Sequence, residues 1–243
     1  MKNYRLTEST IGHAKVIVDI LPGGKVIPNT KITPTSITIH NTGVVDAPAK
    51  NSHNYMKNCN KHGERLASWH FTVCDKEIYQ AVPTNMKAWH AGNATGNSTS
   101  IGIEISMFSD KERQRKAYEN AIELVKILMK YHGFKVSQIK RHKDWSGKIC
   151  PQWLIEGKYG YTWSWFKEQL ETTTVTPKPT ESFTVKIITS VLNIRKGAGT
   201  NHPVVGTVKA GQVFTIVETK DGFGKLLSGA GWISINSKYV KKL

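Results

Sequence analysis

The chain has 243 residues, 39% of them apolar, and 34 basic against 18 acidic side chains give it a formal charge of +16. A length of this order holds one or two domains, each able to bury a core, which excludes disorder as a whole-chain state. Apolar runs are only a few residues long, far below the roughly 18 to 20 needed to cross a bilayer, so no membrane insertion is expected.

The start, Met1-Lys2-Asn3-Tyr4-Arg5-Leu6, carries charge without the apolar segment and small-residue cleavage site of a secretory signal, so export by that route is not expected. Residues 36–40, 69–74 and 101–106 alternate apolar with polar, as half-buried strands do. Residues 47–58 suit a helix. Residues 110–132 are a stronger one: Ser109 or Asp110 can cap it, Ala117, Ala121, Leu124, Val125, Leu128 and Met129 recur at spacings of three and four, and Gly133 ends it. Residues 164–170 read as a last short helix. Strands alternating with helices indicate an α/β domain over residues 1–171, with a mixed central sheet flanked by helices.

Threonine and proline then displace almost everything apolar over residues 172–182, the composition of an extended linker. Residues 183–243 hold short β-like runs at 185–188, 192–195, 204–208, 212–218 and 232–235, punctuated by glycines and without a helical period, which predicts a small all-β barrel. Basic residues outnumber acidic ones 24 to 15 before position 172 and 10 to 3 after it, so both parts are cationic and the smaller is denser in charge. The charge implies an anionic partner but does not choose among nucleic acid, anionic lipid and acidic wall polymers. The basic residues are spread singly and no zinc finger, basic heptad or RNA-binding signature accompanies them, so nucleic acid is not the expected partner. Three cysteines, Cys59, Cys74 and Cys150, cannot all pair and match no disulfide framework.

Alternation has consequences for three polar side chains. In residues 101–106 the isoleucines point one way and Glu104 the other; His40 ends its strand on the face of Thr38, and His70 shares a face with Thr72. A loop of residues 141–151 adds His142 and Cys150. Two histidines and a cysteine suit a catalytic zinc site with an open fourth position. From spacing alone, His40 reads equally well as a capped strand-end residue and Cys150 as a small buried apolar one, since nine histidines offer many accidental triples.

Six blocks carry a resemblance: Ile37-Thr38-Ile39-His40-Asn41-Thr42, Ser68-Trp69-His70-Phe71-Thr72-Val73, Ile78-Tyr79-Gln80, Trp89-His90-Ala91-Gly92, Ser100-Ile101-Gly102-Ile103-Glu104-Ile105, and the run from His142 through Lys148 to Cys150-Pro151. In this order they resemble the motifs of type 2 N-acetylmuramoyl-L-alanine amidases, a family that includes phage endolysins and bacterial autolysins and shares its fold with phage T7 lysozyme and peptidoglycan recognition proteins. The resemblance implies that His40, His142 and Cys150 bind Zn2+, that Glu104 is the acid/base residue, and that Lys148 lies beside the scissile carbonyl. Of the flanking residues, His90, Trp89 and His70 are candidates for substrate binding, with His90 ahead, although each also suits a structural role. Where phage T7 lysozyme and peptidoglycan recognition proteins carry a site tyrosine this chain has Trp69, which leaves Glu104 as principal proton carrier. An Arg-Pro-Gly segment common in the family is replaced by Leu21-Pro22-Gly23-Gly24-Lys25 and Asn29-Thr30-Lys31.

The second part, through Leu192-Asn193-Ile194-Arg195, Val205-Gly206-Thr207-Val208 and Gly231-Trp232-Ile233, is similar to bacterial SH3-like domains, which implies binding to cell-wall peptide or polymer. Together these resemblances imply an amidase cutting the bond between N-acetylmuramic acid and L-alanine in peptidoglycan. Its expected setting is phage lysis: synthesis in the host cytoplasm without a signal peptide, then action at the wall after holin-type release. A non-catalytic peptidoglycan-binding protein and a bacterial autolysin are the alternatives, and the sequence does not state the oligomeric state.

Overall fold

Isoleucines at every second position of two neighbouring strands decide the architecture of the first part of the chain. The computed structural model describes residues 4–63, 65–171, 183–228 and 230–243, so the expected linker lies outside the described residues. The described residues fall into two units, each taken by itself below.

The first unit runs β1 (Thr10–Ile11), β2 (Ala14–Val18), β3 (Ser36–Val45), α1 (Ala49–His62), β4 (Phe71–Val73), β5 (Glu77–Gln80), α2 (Ala94–Thr99), β6 (Ser100–Met107), α3 (Lys111–His132), β7 (Ile139–Arg141), α4 (Lys143–Ser146), α5 (Gln152–Glu156) and α6 (Trp163–Glu171). Its seven-stranded sheet has the order β1-β2-β5-β4-β6-β3-β7. β6 is parallel to both β3 and β4, and β3 is parallel to β7, while β4 and β5 are antiparallel. This is the expected α/β class with a mixed sheet.

Ile37, Ile39, Ile101, Ile103 and Ile105 are fully buried and share a core with Ala117, Ala121, Leu124, Val125 and Leu128 of α3. Each such aliphatic side chain contributes about 1.5–3 kcal/mol by leaving water. α3 begins where expected, with the Asp110 carboxylate accepting from the Arg113 N–H at 2.8 Å, and ends at Gly133, whose φ of 77° is the left-handed cap.

Two expectations need correction. The central strands are not half-buried: Thr38, His40, Ser100 and Ser106 on the face opposite the isoleucines are buried as well. Trp145 and His90 cover that face, the indole N–H of Trp145 donating to Thr38 Oγ1 at 2.9 Å and the His90 ring lying against Gly102. Nor does His40 end its strand, for β3 continues to Val45 with a register irregularity between Asn41 and Val45. Three residues, Thr42, Gly43 and Val44, there oppose the single Ser106, and such a bulge turns the strand outward.

The second unit is all-β: β8 (Phe183–Ile187), β9 (Val191–Arg195), β10 (Val204–Lys209), β11 (Val213–Lys220), β12 (Phe223–Leu226), β13 (Trp232–Ser234) and β14 (Val240–Lys242), in the sheet order β10-β9-β13-β12-β11-β8-β14. Val185, Ile187, Leu192, Val208, Ile216, Leu226, Ile233 and Val240 form its core. β12 and β14 were not expected. Among the described residues no helix is long and apolar enough to cross a membrane.

Candidate active site

Parallel pairing sets His40 of β3 opposite Glu104 of β6, and β4 sets Thr72 against Glu104 from the other side. β7 pairs with β3 through Ile39 and Arg141, so the chain leaves β7 beside His40 and the next residue is His142. Arg141 and Asp144 clasp the entry to α4, with Asp144 Oδ2 accepting from the Arg141 N–H at 2.8 Å. The loop closes where the Lys143 N–H donates to the Cys150 carbonyl at 3.0 Å, and Cys150 Sγ accepts from the Asn41 N–H at 3.4 Å.

These connections bring three side chains to one point. Nδ1 of His40 and Nδ1 of His142 are 3.1 Å apart, and Cys150 Sγ is 3.8 Å from His40 Nδ1. The donor atoms of all three residues lie within 4.8 Å of one another. Glu104 Oε1 is 3.9 Å from His40 Nδ1, and its other oxygen, Oε2, is buried without a hydrogen-bond partner. All four residues line a cleft of about 590 Å³ whose walls include Tyr55, Arg65, Trp69, Trp89 and Lys148.

Burial dominates the electrostatics. It holds His40 well below the usual imidazole range, helped by His90, His142 and Lys148, and lowers His142 to about 4, helped by Lys148. Both rings are therefore neutral and keep a lone pair. Burial raises Glu104 to about 8, opposed by the positive charges of Lys148 and Arg65. It raises Cys150 to about 12, helped by Glu104 and opposed by the Asn41 N–H and Lys148. Two neutral imidazoles and a thiol at this separation are donors that zinc prefers, and a divalent cation reverses the pressure on a buried thiol by deprotonating it.

The candidate substrate residues separate. Trp89 lines the cleft, with the Lys87 ammonium 4.3 Å from its ring centroid. His90 also reaches the cleft, but its Nδ1 meets His40 Nε2 at 3.1 Å and its Nε2 meets the Ser100 carbonyl at 3.2 Å. His70 is not in the cleft. It is fully buried, its Nε2 donating to the Met86 carbonyl and its Nδ1 accepting from the Gly102 N–H, both at 2.9 Å, which makes it a packing histidine. Trp69 lies on the cleft wall and donates from Nε1 to Thr72 Oγ1 at 2.7 Å.

Sequence reasoning missed several supporting residues. Asn41 holds Cys150 through its N–H and accepts from the Trp153 N–H at 3.1 Å through its side chain. Asn97 Oδ1 accepts from both His90 N–H and Ala91 N–H, at 2.9 and 2.7 Å. At Gly102 an added Cβ would stand 2.6 Å from His90 Cγ. That glycine was legible, since glycine inside a strand marks close approach of another group; the asparagines carried no such signal.

Imidazoles, a thiol and a carboxyl gathered at an open cleft over adjacent parallel strands form a layout that can hold a metal ion beside an acid/base group. Residues 30–153 match the N-acetylmuramoyl-L-alanine amidase family, to which this chain belongs, and residues 190–241 match the bacterial SH3 domain. The amidase XlyA of Bacillus subtilis (strain 168) is 43% identical over 157 residues, covering 63% of this chain and 50% of the relative. CwlH of the same organism, also an N-acetylmuramoyl-L-alanine amidase, is 39% identical over 158 residues, covering 63% of this chain and 59% of that one. The chain thus spans about half the length of the curated relatives it matches. The solved catalytic domain of XlyA superposes with a TM-score of 0.57 at 41% identity, covering 65% of this chain and 99% of the domain. A mutant endolysin from Bacillus subtilis does so with 0.57 at 39% identity and the same coverage.

Proposed function

We propose that this chain hydrolyses the amide between the lactyl group of N-acetylmuramic acid and L-alanine in bacterial peptidoglycan. The observation that carries the reading is the convergence of His40, His142 and Cys150 with Glu104 in one open cleft. His40, His142 and Cys150 would hold the metal, with His40 Nδ1, His142 Nδ1 and Cys150 Sγ facing one another, and zinc is the ion that suits this donor set. Bound there, zinc supplies Lewis acidity that makes water a nucleophile near neutral pH and polarises the scissile carbonyl.

The chain's own residues do the rest. Glu104, whose Oε2 is unpartnered, takes a proton from the attacking water and returns it to the departing amine of L-alanine. Burial raises its carboxyl to about 8, and the positive charges of Lys148 and Arg65 oppose that rise and favour the carboxylate that accepts the proton. Lys148 on the cleft wall stabilises the oxyanion that forms as water adds to the carbonyl. Trp89 and Trp69 offer flat apolar surface to sugar or peptide.

The second unit binds the wall and keeps the cleft near its polymer substrate, and the cationic character of the chain favours acidic wall polymers. The setting we propose is phage lysis, with action at the wall after holin-type release; the resemblance to an endolysin supports it. Digestion of purified peptidoglycan tests the chemistry. New L-alanine amino termini without new reducing sugars are expected, and the opposite pattern overturns the reading.

A further inference from the structure

We infer that His90 is a positioning residue for the metal ligand His40: it fixes the His40 tautomer so that Nδ1, and not Nε2, offers its lone pair to zinc. The inference rests on the zinc site proposed above and gives His90 a different role from contact with substrate.

The argument starts at a main-chain carbonyl. The Ser100 oxygen only accepts hydrogen bonds, and it lies 3.2 Å from His90 Nε2, so that nitrogen carries a proton. His90 is buried and, among the described residues, no carboxylate pairs with it; a doubly protonated ring would be an uncompensated buried cation. The ring is therefore neutral and its Nδ1 is an acceptor. The atom it faces at 3.1 Å is His40 Nε2, which must carry the proton between them. That leaves Nδ1 of His40 bare, and Nδ1 is the atom that faces His142 Nδ1 and Cys150 Sγ.

Metal-bound histidines usually donate their second ring N–H to an acceptor that sets the tautomer and orientation. Here that acceptor is a second imidazole, which passes the preference of the Ser100 carbonyl across to His40. The relay is held rigidly. Asn97 Oδ1 grips the His90 and Ala91 N–H groups, and the ring rests on the bare backbone of Gly102, where a Cβ would lie 2.6 Å from Cγ. A ring clamped at both nitrogens and on one face has no donor or acceptor left for a substrate.

The test is zinc affinity of the purified full chain, measured by competition with a chromogenic chelator. His90→Ala should bind zinc about 10–100-fold more weakly, whereas His90→Asn, whose Oδ1 replaces the Nδ1 acceptor, should stay within about threefold of the parent chain. Unchanged affinity in His90→Ala, or equal losses in both variants, overturns the inference. Should His90→Ala fail to fold, 15N imidazole NMR of the metal-free parent chain decides the matter: both His40 and His90 are expected as Nε2–H tautomers, and an Nδ1–H tautomer at either overturns it. A parent chain that binds no zinc overturns the proposed function along with this inference; zinc held equally by parent and His90→Ala overturns the inference alone.

Discussion

Glu104 Oε1 stands 3.9 Å from His40 Nδ1 because the two residues are register partners on adjacent parallel strands. The same nitrogen also faces His142 and Cys150, so one atom on β3 is common to the metal donors and the acid/base group. The alignment of His40 with Glu104 is set by strand pairing, while His142 and Cys150 come from the loop after β7. A slip of one residue in either strand would turn its side chains to the other face and take its site residue out of the cleft, which the buried isoleucines prevent.

Replacing Glu104 by Gln keeps the shape of the side chain but ends its proton exchange. Hydrolysis of peptidoglycan should fall at least about 100-fold, the scale of a lost acid/base group, while bound zinc stays at the level of the parent chain. Activity on purified walls together with metal content checks both halves. A rate equal to that of the parent chain would remove Glu104 from the mechanism.

Chelation should abolish hydrolysis, and added zinc should restore it. The isoleucine and α3 core is made without any metal donor, so circular dichroism of the chelated chain should stay close to that of the loaded one. Cys150→Ser replaces a soft sulfur by a hydroxyl that zinc binds poorly, and should lower zinc retention in dialysis. Full retention by that variant would take Cys150 out of the donor set.

Much of this site was legible before any coordinates. His40, Glu104, His142 and Cys150 sit in blocks whose order the resemblance recognises, and the alternating isoleucines announced which faces meet α3. The distinction between His70 and His90 was not legible. His70 lies just before β4 and His90 in the loop between β5 and α2, where two-residue alternation does not say which way a side chain points. The bulge at Thr42 to Val44 was hidden for a related reason: alternation stops at Asn41-Thr42-Gly43, which reads as the end of the strand, although pairing resumes at Val45. β12 and β14 escaped notice because glycine and lysine interrupt their apolar positions, and only pairing with β11, β13 and β8 makes them strands.

Buried neutral histidines make stability fall in acid. His70 sits at about 4 in the folded chain against an ordinary 6.5, because burial disfavours its cation. Between those values the unfolded chain binds a proton that the folded one refuses, so this contribution is complete above pH 6.5 and is lost progressively as pH falls toward 4. At 1.36 kcal/mol per unit the loss is at most about 3 kcal/mol. Urea unfolding of the chelated chain across this range should show the decline, and His70→Gln should make it shallower. An identical slope in that variant would show that His70 does not titrate on unfolding.

The +16 charge should matter more for reaching the wall than for cutting the bond. Salt at 1 M shortens the screening length to about 3 Å, which removes long-range attraction but leaves contacts inside the cleft largely intact. Wall binding should therefore weaken more with salt than turnover of a small soluble muropeptide does. Equal losses would defeat this division between attraction and chemistry.

Gly102→Ala tests whether packing behind the cleft controls the site. The new Cβ would lie 2.6 Å from His90 Cγ and 2.9 Å from both Cδ2 and Nδ1, so the ring must move. It cannot do so freely, since the Ser100 carbonyl holds its Nε2, Asn97 holds the His90 main-chain N–H, and the Gly102 N–H is itself engaged with His70. Overpacking of this kind costs about 1–3 kcal/mol and should also pull His90 from His40 Nε2, lowering zinc affinity. Gly133→Ala is the comparison: its φ of 77° makes alanine unfavourable, but no atom lies within 4 Å of the added Cβ. That variant should lose about 1 kcal/mol of stability at the end of α3 with its zinc affinity intact. Melting temperature and zinc titration on both separate a general loss of stability from a displaced ring, and zinc affinity unchanged in Gly102→Ala would show that the ring can move without disturbing His40.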